Sequence, residues 1–354
     1  MILGSGIALG VYVPALSLKK QLEALGHSAD LCCLEDLYRD KETVMEETKR
    51  SFHRDFRLAK ISYRMPVRNQ AAVDPDAAEA FLKKAAERKY DAVVTFSGFF
   101  SQLLKHLSET CPHYRDRIFA VHMDAVPSLS WKGTDEAFAK NIWLYRLKEQ
   151  KLYYRLDRPK EEPAKENRIL VHGGGWGIGE YESKIGRLNE LGIPCDIVVY
   201  YPEEAEKIDP MNDCYLLDPS WKAAGGNDEF PRLLKYEEKE WRSFADSRTV
   251  NPLRTLIERD GAILSKPGGG TLADSLAAGT PLLFSEELAA YEKENRRMWE
   301  LCGFGIGIES FLAGSEKEAM LSEMRNRLKT AAASLPELAE VLLRSVSEEE
   351  HAYG

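Results

Sequence analysis

The residues 260–282, Asp260-Gly-Ala-Ile-Leu-Ser-Lys-Pro-Gly-Gly-Gly-Thr-Leu-Ala-Asp-Ser-Leu-Ala-Ala-Gly-Thr-Pro-Leu282, decide how the chain is read. Residues 262–264 form a short apolar run with the character of a strand. Residues 265–270 follow as a tight loop holding Pro267 and three consecutive glycines. Residues 271–278 are small and apolar and read as a helix, which Gly279 ends before the next strand at 281–284. Glycine lets a backbone approach a ligand closely. A helix N-terminus adds free N–H groups and a partial positive charge. Together they make an anion site, with phosphate or diphosphate as the expected anion. A plain tight turn is the alternative; three glycines before a helix that carries Asp274 favour the phosphate site.

Upstream, the same plan occurs once more in this half. Residues 168–171 read as a strand, and His172-Gly-Gly-Gly-Trp-Gly-Ile-Gly179 is a second glycine loop at its end. Strands are expected at 195–201 and 215–217, and helices at 181–191 and 253–258. Downstream come a helix at 291–301, a strand at 305–308 and two closing helices at 315–329 and 336–348. The first half alternates in the same way. A short strand enters the glycine-containing opening 1–10, residues 13–25 form an amphipathic helix, and residues 29–34 return as a strand. Helices are expected at 49–60, 75–88 and 99–107, with strands at 91–96 and 118–122. Residues 131–154 are aromatic-rich and read as partly helical. Arg50, Phe52, His53, Arg54, Phe56 and Arg57 read as a solvated helix face, with contact to an acceptor as the alternative. Residues 157–167, polar with two prolines, form the best linker.

The expected fold class is therefore α/β, two Rossmann-like doubly wound domains facing a cleft. The boundaries are 1–156, a linker at 157–167, 168–335, and a final helix and tail at 336–354. A length of 354 residues suits two domains, and 44% hydrophobic residues suffice for their cores. A net charge of −9 argues against an obligate nucleic-acid partner. The six cysteines show no metal-ligand spacing and suit a reducing cytoplasm. No apolar run is long enough for a membrane span, and no signal peptide is evident. The chain has no GxGxxG, no GxxxxGK[ST] and no HExxH, so dinucleotide oxidoreductase, P-loop and zinc-protease readings are poor.

Ligands of open α/β sheets sit beyond the C-terminal strand ends. That rule places Ser97, His122 and Asp124 at the mouth of the first domain. Asp124 is the first candidate general base and His122 the second; a turn cap and a plain strand end are their structural alternatives. Tyr12, Phe96, Phe99, Phe100 and Trp131 are candidates for an apolar acceptor pocket, although such aromatics more often sit in a core. Backbone N–H groups suit phosphate, and carboxylates suit sugar hydroxyls, so the combination of two glycine loops with Asp274 and Glu292 suits a nucleoside-diphosphate sugar.

Ser265-Lys-Pro-Gly-Gly-Gly-Thr-Leu-Ala-Asp274 with Ala277-Ala-Gly-Thr-Pro281 resembles the donor-binding signature of the GT-B glycosyltransferases. The nearest resemblance is to the lipid II-forming glycosyltransferases, the monogalactosyldiacylglycerol synthases and related UDP-glycosyltransferases. Tyr291-Glu-Lys-Glu-Asn295 followed by Gly303-Phe-Gly305 resembles their sugar-contacting loop, and residues 10–16 their first loop and helix. The resemblance implies an inverting, metal-independent transfer from a UDP-sugar, the co-substrate, with no further cofactor. It implies Gly268, Gly269, Gly270 and Thr271 at the diphosphate, Asp274 at the ribose where the family has Glu, and Glu292 with Asn295 at the sugar. Gly174, Gly175 and Trp176 would form the other donor loop, and Lys266 would help to stabilise the leaving group. Tyr12, Ser97 and Phe99 are assigned to a small, soluble acceptor such as a natural product, and a homodimer is one expectation for assembly. A UDP-sugar hydrolase or epimerase, or a nucleotide-sugar-binding subunit, are the competing expectations.

Overall fold

The computed structural model of the protein describes residues 1–6, 9–37, 43–63, 73–134, 137–157, 165–223 and 228–353. Most of the expected linker, 158–164, lies outside them, as do Ile7 and Ala8 of the opening glycine stretch.

The apolar runs of the first half become short parallel strands: β1 (Ile2–Gly4), β2 (Leu31–Cys33), β3 (Val93–Thr95), β4 (Ile118–His122) and β5 (Lys140–Trp143). Their order is β2-β1-β3-β4-β5. Strands β1, β3 and β4 are buried along their whole length, which is why they carry no polar alternation. The helices are α1 (Leu9–Ala24), α2 (Thr43–Arg54), α3 (Phe56–Ser62), α4 (Pro75–Arg88) and α5 (Ser101–Thr110). α4 begins where its sequence says it should: Asp74 caps it and Pro75 occupies the first turn, where no N–H is needed. Two expectations are corrected here. The single helix over 49–60 is two, because Asp55 leaves helical geometry and accepts from the Arg57 N–H to start α3. The described part of 131–154 holds three short strands and no α-helix: β5 pairs with β4, and β6 (Tyr145–Arg146) turns back on β7 (Lys151–Leu152). α1 also starts earlier than expected and takes Gly10 into its first turn.

The second half forms an eight-stranded sheet from β8 (Glu166–Val171), β9 (Cys195–Val199), β10 (Asp213–Leu217), β11 (Leu233–Glu237), β12 (Glu240–Ser243), β13 (Asp260–Ser265), β14 (Leu282–Phe284) and β15 (Gly305–Gly307). The order is β12-β11-β10-β9-β8-β13-β14-β15. Helices α6 (Glu182–Glu190), α7 (Pro252–Arg259), α8 (Gly269–Ala278), α9 (Ala290–Cys302), α10 (Ile308–Ala313), α11 (Lys317–Ser334) and α12 (Leu338–Tyr353) accompany it. β8 starts at Glu166, opposite Asp260, so the last residues of the expected linker are strand. The antiparallel hairpin β11–β12 is absent from the sequence reading. Its turn residues Glu238 and Lys239 both take positive φ, a conformation usually signalled by Asn-Gly or Asp-Gly, and here nothing signals it.

Each sheet reverses strand order at one place, and a crevice opens there. In the first sheet it lies between β1 and β3; in the second it lies between β8 and β13. The strands on either side of the second crevice end in the two glycine loops. The halves are joined by packing as well as by chain. At the first residue of α12, the Leu338 N–H donates to the Arg155 carbonyl at 3.0 Å, and α12 packs on α1. Tyr145 of β6 meets Trp299 of α9 edge-on at 4.9 Å, and Trp299 meets Phe304 at 5.6 Å. Trp299 is wholly buried, with its indole N–H on Ser275 at 3.3 Å. Trp299→Ala should therefore lower unfolding free energy by about 3–5 kcal/mol, the range for emptying a buried aromatic site. Urea unfolding followed by fluorescence checks this; a loss below about 1 kcal/mol would mean that the seam does not rest on this residue.

Candidate active site

The two crevices open on a shared cavity of about 690 Å³. Its floor is the start of α8. The expected loop at 265–270 is shorter than its sequence suggests: Gly268 is the N-cap, and Gly269 and Gly270 already belong to the first helical turn. No side chain of α8 itself caps that end, so its first N–H groups face outward. Gly268, Gly269, Gly270, Thr271 and Asp274 all line the cavity, as do Gly174, Gly175 and Trp176 from the loop after β8.

The seam at this floor is made of backbone. A Cβ on Gly269 would lie 2.7 Å from the Met123 carbonyl and 2.8 Å from Asp124 Oδ1. One on Gly270 would lie 3.1 Å from the Gly10 Cα at the start of α1. Only glycine admits this approach between the halves. Asp124 is thereby brought to the α8 N-terminus, where the Gly269 N–H is one of its donors. Burial pushes its carboxyl up to about 6, and the charge of Glu292 adds to this, against the hydrogen bond from Asn295.

Asn295 is corrected from ligand to clamp. Its Oδ1 accepts from the Ala125 N–H at 2.7 Å, and its Nδ2 donates to Asp124 Oδ1 at 2.7 Å and to the Pro267 carbonyl at 2.9 Å. It is wholly buried and lies outside the cavity lining. Lys266 is also committed: its ammonium donates to the Gly173 carbonyl at 2.8 Å and to the Ile178 carbonyl at 2.6 Å, tying one glycine loop to the other. Burial lowers its pKa, opposed by the charge of Glu292. Glu292 is buried on the cavity wall and accepts from the Leu288 N–H at 2.6 Å; burial raises its carboxyl.

His122 leaves the list of candidate bases. It lies outside the cavity lining, stacked on Trp143 at 4.0 Å and 4°, with Nε2 2.8 Å from Asn141 Oδ1. Burial pushes it down to about 4. Tyr12 leaves the acceptor list for a similar reason: it is wholly buried against Trp221, and its hydroxyl donates to the Glu229 carbonyl at 3.0 Å. Phe100 is likewise core, whereas Ser97, Phe96, Phe99 and Trp131 line the cavity.

Sequence reasoning missed three lining residues. Arg254 of α7 is buried and stands 3.7 Å from Asp274, whose carboxyl burial raises to about 6 against the pull of that guanidinium. The spacing of α7 to α8 is tertiary, so nothing local announces the pair. His172 follows β8 and accepts the Gly174 N–H at 3.2 Å on Nδ1; burial pushes it down to about 3. Its place immediately before Gly173 was the available signal. Tyr63 reaches the cavity from the end of α3.

No family model and no curated protein matches the chain. Solved structures do. The glycosyltransferase VinC in complex with dTDP shares 11% identity over 98% of this chain and 99% of that one, with a TM-score of 0.54. The glycosyltransferase SnogD from Streptomyces nogalater shares 14% over 98% of each chain, at a TM-score of 0.51. The spinosyn rhamnosyltransferase SpnG shares 10% over 98% and 99%, also at 0.51. The chain has the GT-B fold.

In GT-B terms the two sheets are the two Rossmann-like halves, and the cavity is the cleft between them. Among the described residues, no helix is long and apolar enough to cross a membrane. The seam gives a direct test. Gly269→Ala should destabilise the protein by about 1–3 kcal/mol, because the added methyl must part the halves. Gly268→Ala should be mild, since its Cβ would meet only Glu292 Oε1 at 4.0 Å. Thermal unfolding of both variants checks this; equal melting points would remove the close-approach account.

Proposed function

We propose that the protein is an inverting glycosyltransferase that moves a sugar from a UDP-sugar to a small apolar acceptor. The observation that carries this reading is the N-terminus of α8 at the β8–β13 crevice, which no side chain of α8 caps, with Asp124 facing it from the other half and taking the Gly269 N–H. Diphosphate oxygens would accept from the N–H groups of Gly270 and Thr271, with the helix dipole favouring their charge. Asp274, beside Arg254, would meet the ribose. Glu292 on the cavity wall would accept from sugar hydroxyls.

Preorganised backbone dipoles stabilise charge as it develops on the leaving diphosphate, and they need no reorganisation at that moment. Lys266 contributes indirectly, by holding the loop that carries Gly174–Trp176. Asp124 would take the acceptor hydroxyl proton as the new glycosidic bond forms. A carboxyl near 6 is ionised at neutral pH and is a stronger base than an ordinary aspartate. Phe96, Phe99, Leu129 and Trp131 line the cavity with Asp124 and would give an acceptor apolar contacts. This supports a soluble aromatic acceptor of natural-product type.

Two measurements test the reading. A thermal-shift series with UDP, dTDP, ATP and NAD should show stabilisation by the pyrimidine diphosphates, UDP most. A ligand at one hundred times its Kd adds about 2.7 kcal/mol to apparent stability. Silence toward both pyrimidine diphosphates would sink the donor assignment. The second measurement follows turnover against pH. Asp124 acts ionised, so at saturating donor kcat/KM for the acceptor should rise through about pH 6. Asp124→Asn should cut turnover about 100-fold or more and remove that rise while nucleotide binding persists.

A further inference from the structure

The first half reaches the second at a place other than the α8 seam. Helices α2 and α3 lie over the loop that follows β8. Phe56 and Ala59 of α3 are buried against Ile178 and Leu288, with Phe52, Tyr63 and Trp176 packed around them. Phe52 and Trp176 rings are 6.0 Å apart. Trp176 and Ile178 flank Gly177, which takes a positive φ of 64° and has the Tyr200 ring beneath it. α2 and α3 are thus a cap on one of the two glycine loops.

His53, in the last turn of α2, is the polar centre of that cap. Its Nδ1 is 2.6 Å from the Gly177 carbonyl oxygen, and its Nε2 is 2.8 Å from Glu204 Oε1. A carbonyl oxygen only accepts. Glu204 also accepts here as a carboxylate: its Oε2 takes the backbone N–H groups of Tyr200 at 2.8 Å and Tyr201 at 2.9 Å, and, against burial, the bond from His53 and these two hold its carboxyl below the ordinary value. Both ring nitrogens must therefore be donors, and only the imidazolium has two N–H groups. A neutral ring would place a lone pair against one of the two oxygens.

We propose that His53 is a positioning residue, a protonation-dependent latch that fastens the α2–α3 cap to the Gly174–Ile178 loop and so holds that loop in its binding shape. Lys49 on α2 opposes the charge on His53. Arg50 on α2 is turned away onto the Tyr201 ring at 5.1 Å and toward Glu203 at 3.4 Å. From the segment after β9, Tyr200 and Tyr201 present rings at 5.6 Å and 5.0 Å, and Glu204 is the carboxylate in contact. Burial works against the imidazolium, but the hydrogen bond and charge of Glu204 outweigh it and hold the ring above its ordinary 6.5. A raised folded value means the latch is fully closed below the ordinary histidine range and is lost as pH rises through the folded value. At that point the loop after β8 is free to part from the cap.

The latch itself needs no assumption about ligand; its effect on the donor rests on the UDP-sugar reading above. Hydrogen exchange of peptides covering 172–179, corrected for intrinsic rates, tests it between pH 5.5 and 9 in the full chain. In the wild type, protection should fall roughly tenfold as pH rises through the His53 titration, as expected for losing one charge-assisted hydrogen bond. His53→Gln keeps one donor and no charge, so its protection should be low and nearly flat with pH. Glu204→Gln, which keeps the backbone contacts of residue 204, should shift the midpoint down toward ordinary histidine. Equal pH profiles in wild type and His53→Gln would overturn the latch. UDP calorimetry at pH 6 and 8.5 forms the second arm: wild-type affinity should weaken several-fold between them, in step with exchange. Binding that ignores pH while exchange responds would remove the coupling to the donor loop. Absence of UDP binding at both pH values would fail the donor reading and leave the latch to stand or fall on exchange.

Discussion

Backbone-to-backbone approach at the start of α8 is the constraint from which the rest of the site follows. Gly269 lies against Met123 and Asp124, and Gly270 against Gly10, at distances that leave no room for a methyl group without movement. The same missing side chains meet a second demand, because a helix start that presents bare N–H groups is also an anion site. On the proposed reading, closeness between the halves and room for an anion would both follow from the missing side chains of Gly269 and Gly270. Surrounding groups then make the contact rigid. The Tyr145 hydroxyl donates to the Gly269 carbonyl at 3.0 Å, and Asn295 joins Asp124 and Ala125 to Pro267. A buried amide with all of these contacts filled is a strong positional restraint, since moving either half leaves polar groups unpaired.

The cavity wall sets buried carboxyls beside two buried cations that are already engaged with protein partners. Asp124, Glu292 and Asp274 all have raised carboxyl values, each chiefly because of burial. Lys266 is directed at carbonyls of the second loop, and Arg254 at Glu258 and Asp274. A diphosphate in this cavity would therefore depend mainly on dipoles, not on full cations. That is consistent with a leaving group whose charge must be accommodated as it forms, where a fixed dipole array is as good before the reaction as after it.

The residues that were legible from sequence are those whose role is local. The strand, glycine and helix sequence around Gly268–Thr271 follows from hydrophobic runs and punctuation, and α4 follows from Asp74 and Pro75. Strand order was not legible residue by residue, yet the alternation implied a crevice at strand ends, which is where both glycine loops lie. Failures have two physical origins. Some local structures lack their usual signal, as at Glu238 and Lys239 with positive φ and no glycine. Others are decided by tertiary partners. His122 and Asp124 are two residues apart at one strand end; one is sandwiched between tryptophans, and the other is drawn across the seam by Gly269 and Asn295. Nothing in the pair His122-Met-Asp124 distinguishes these fates. Asn295 shows the same limit from the other side, since its place in a ligand-like motif concealed its use as a clamp.

His53 and Asp124 join the halves at separate places, and on the proposed readings they titrate in opposite functional senses. The contact through Asp124 carries its raised carboxyl, so on the proposed reading the base forms as pH rises. The contact through His53 needs both ring protons, so the cap loosens as pH rises. Buried acid and cap are then compatible only in the interval between the two titrations. The acid's value is pushed up by burial and the histidine's is held up by Glu204, so both limits move in the same direction. The width of the interval depends on Glu204 in particular, because without its charge, burial alone would lower the histidine and close the gap from above. On these two proposals, Glu204, a single carboxylate on the segment after β9, would set the upper edge of the range in which the cavity holds its loop and its base in working order together.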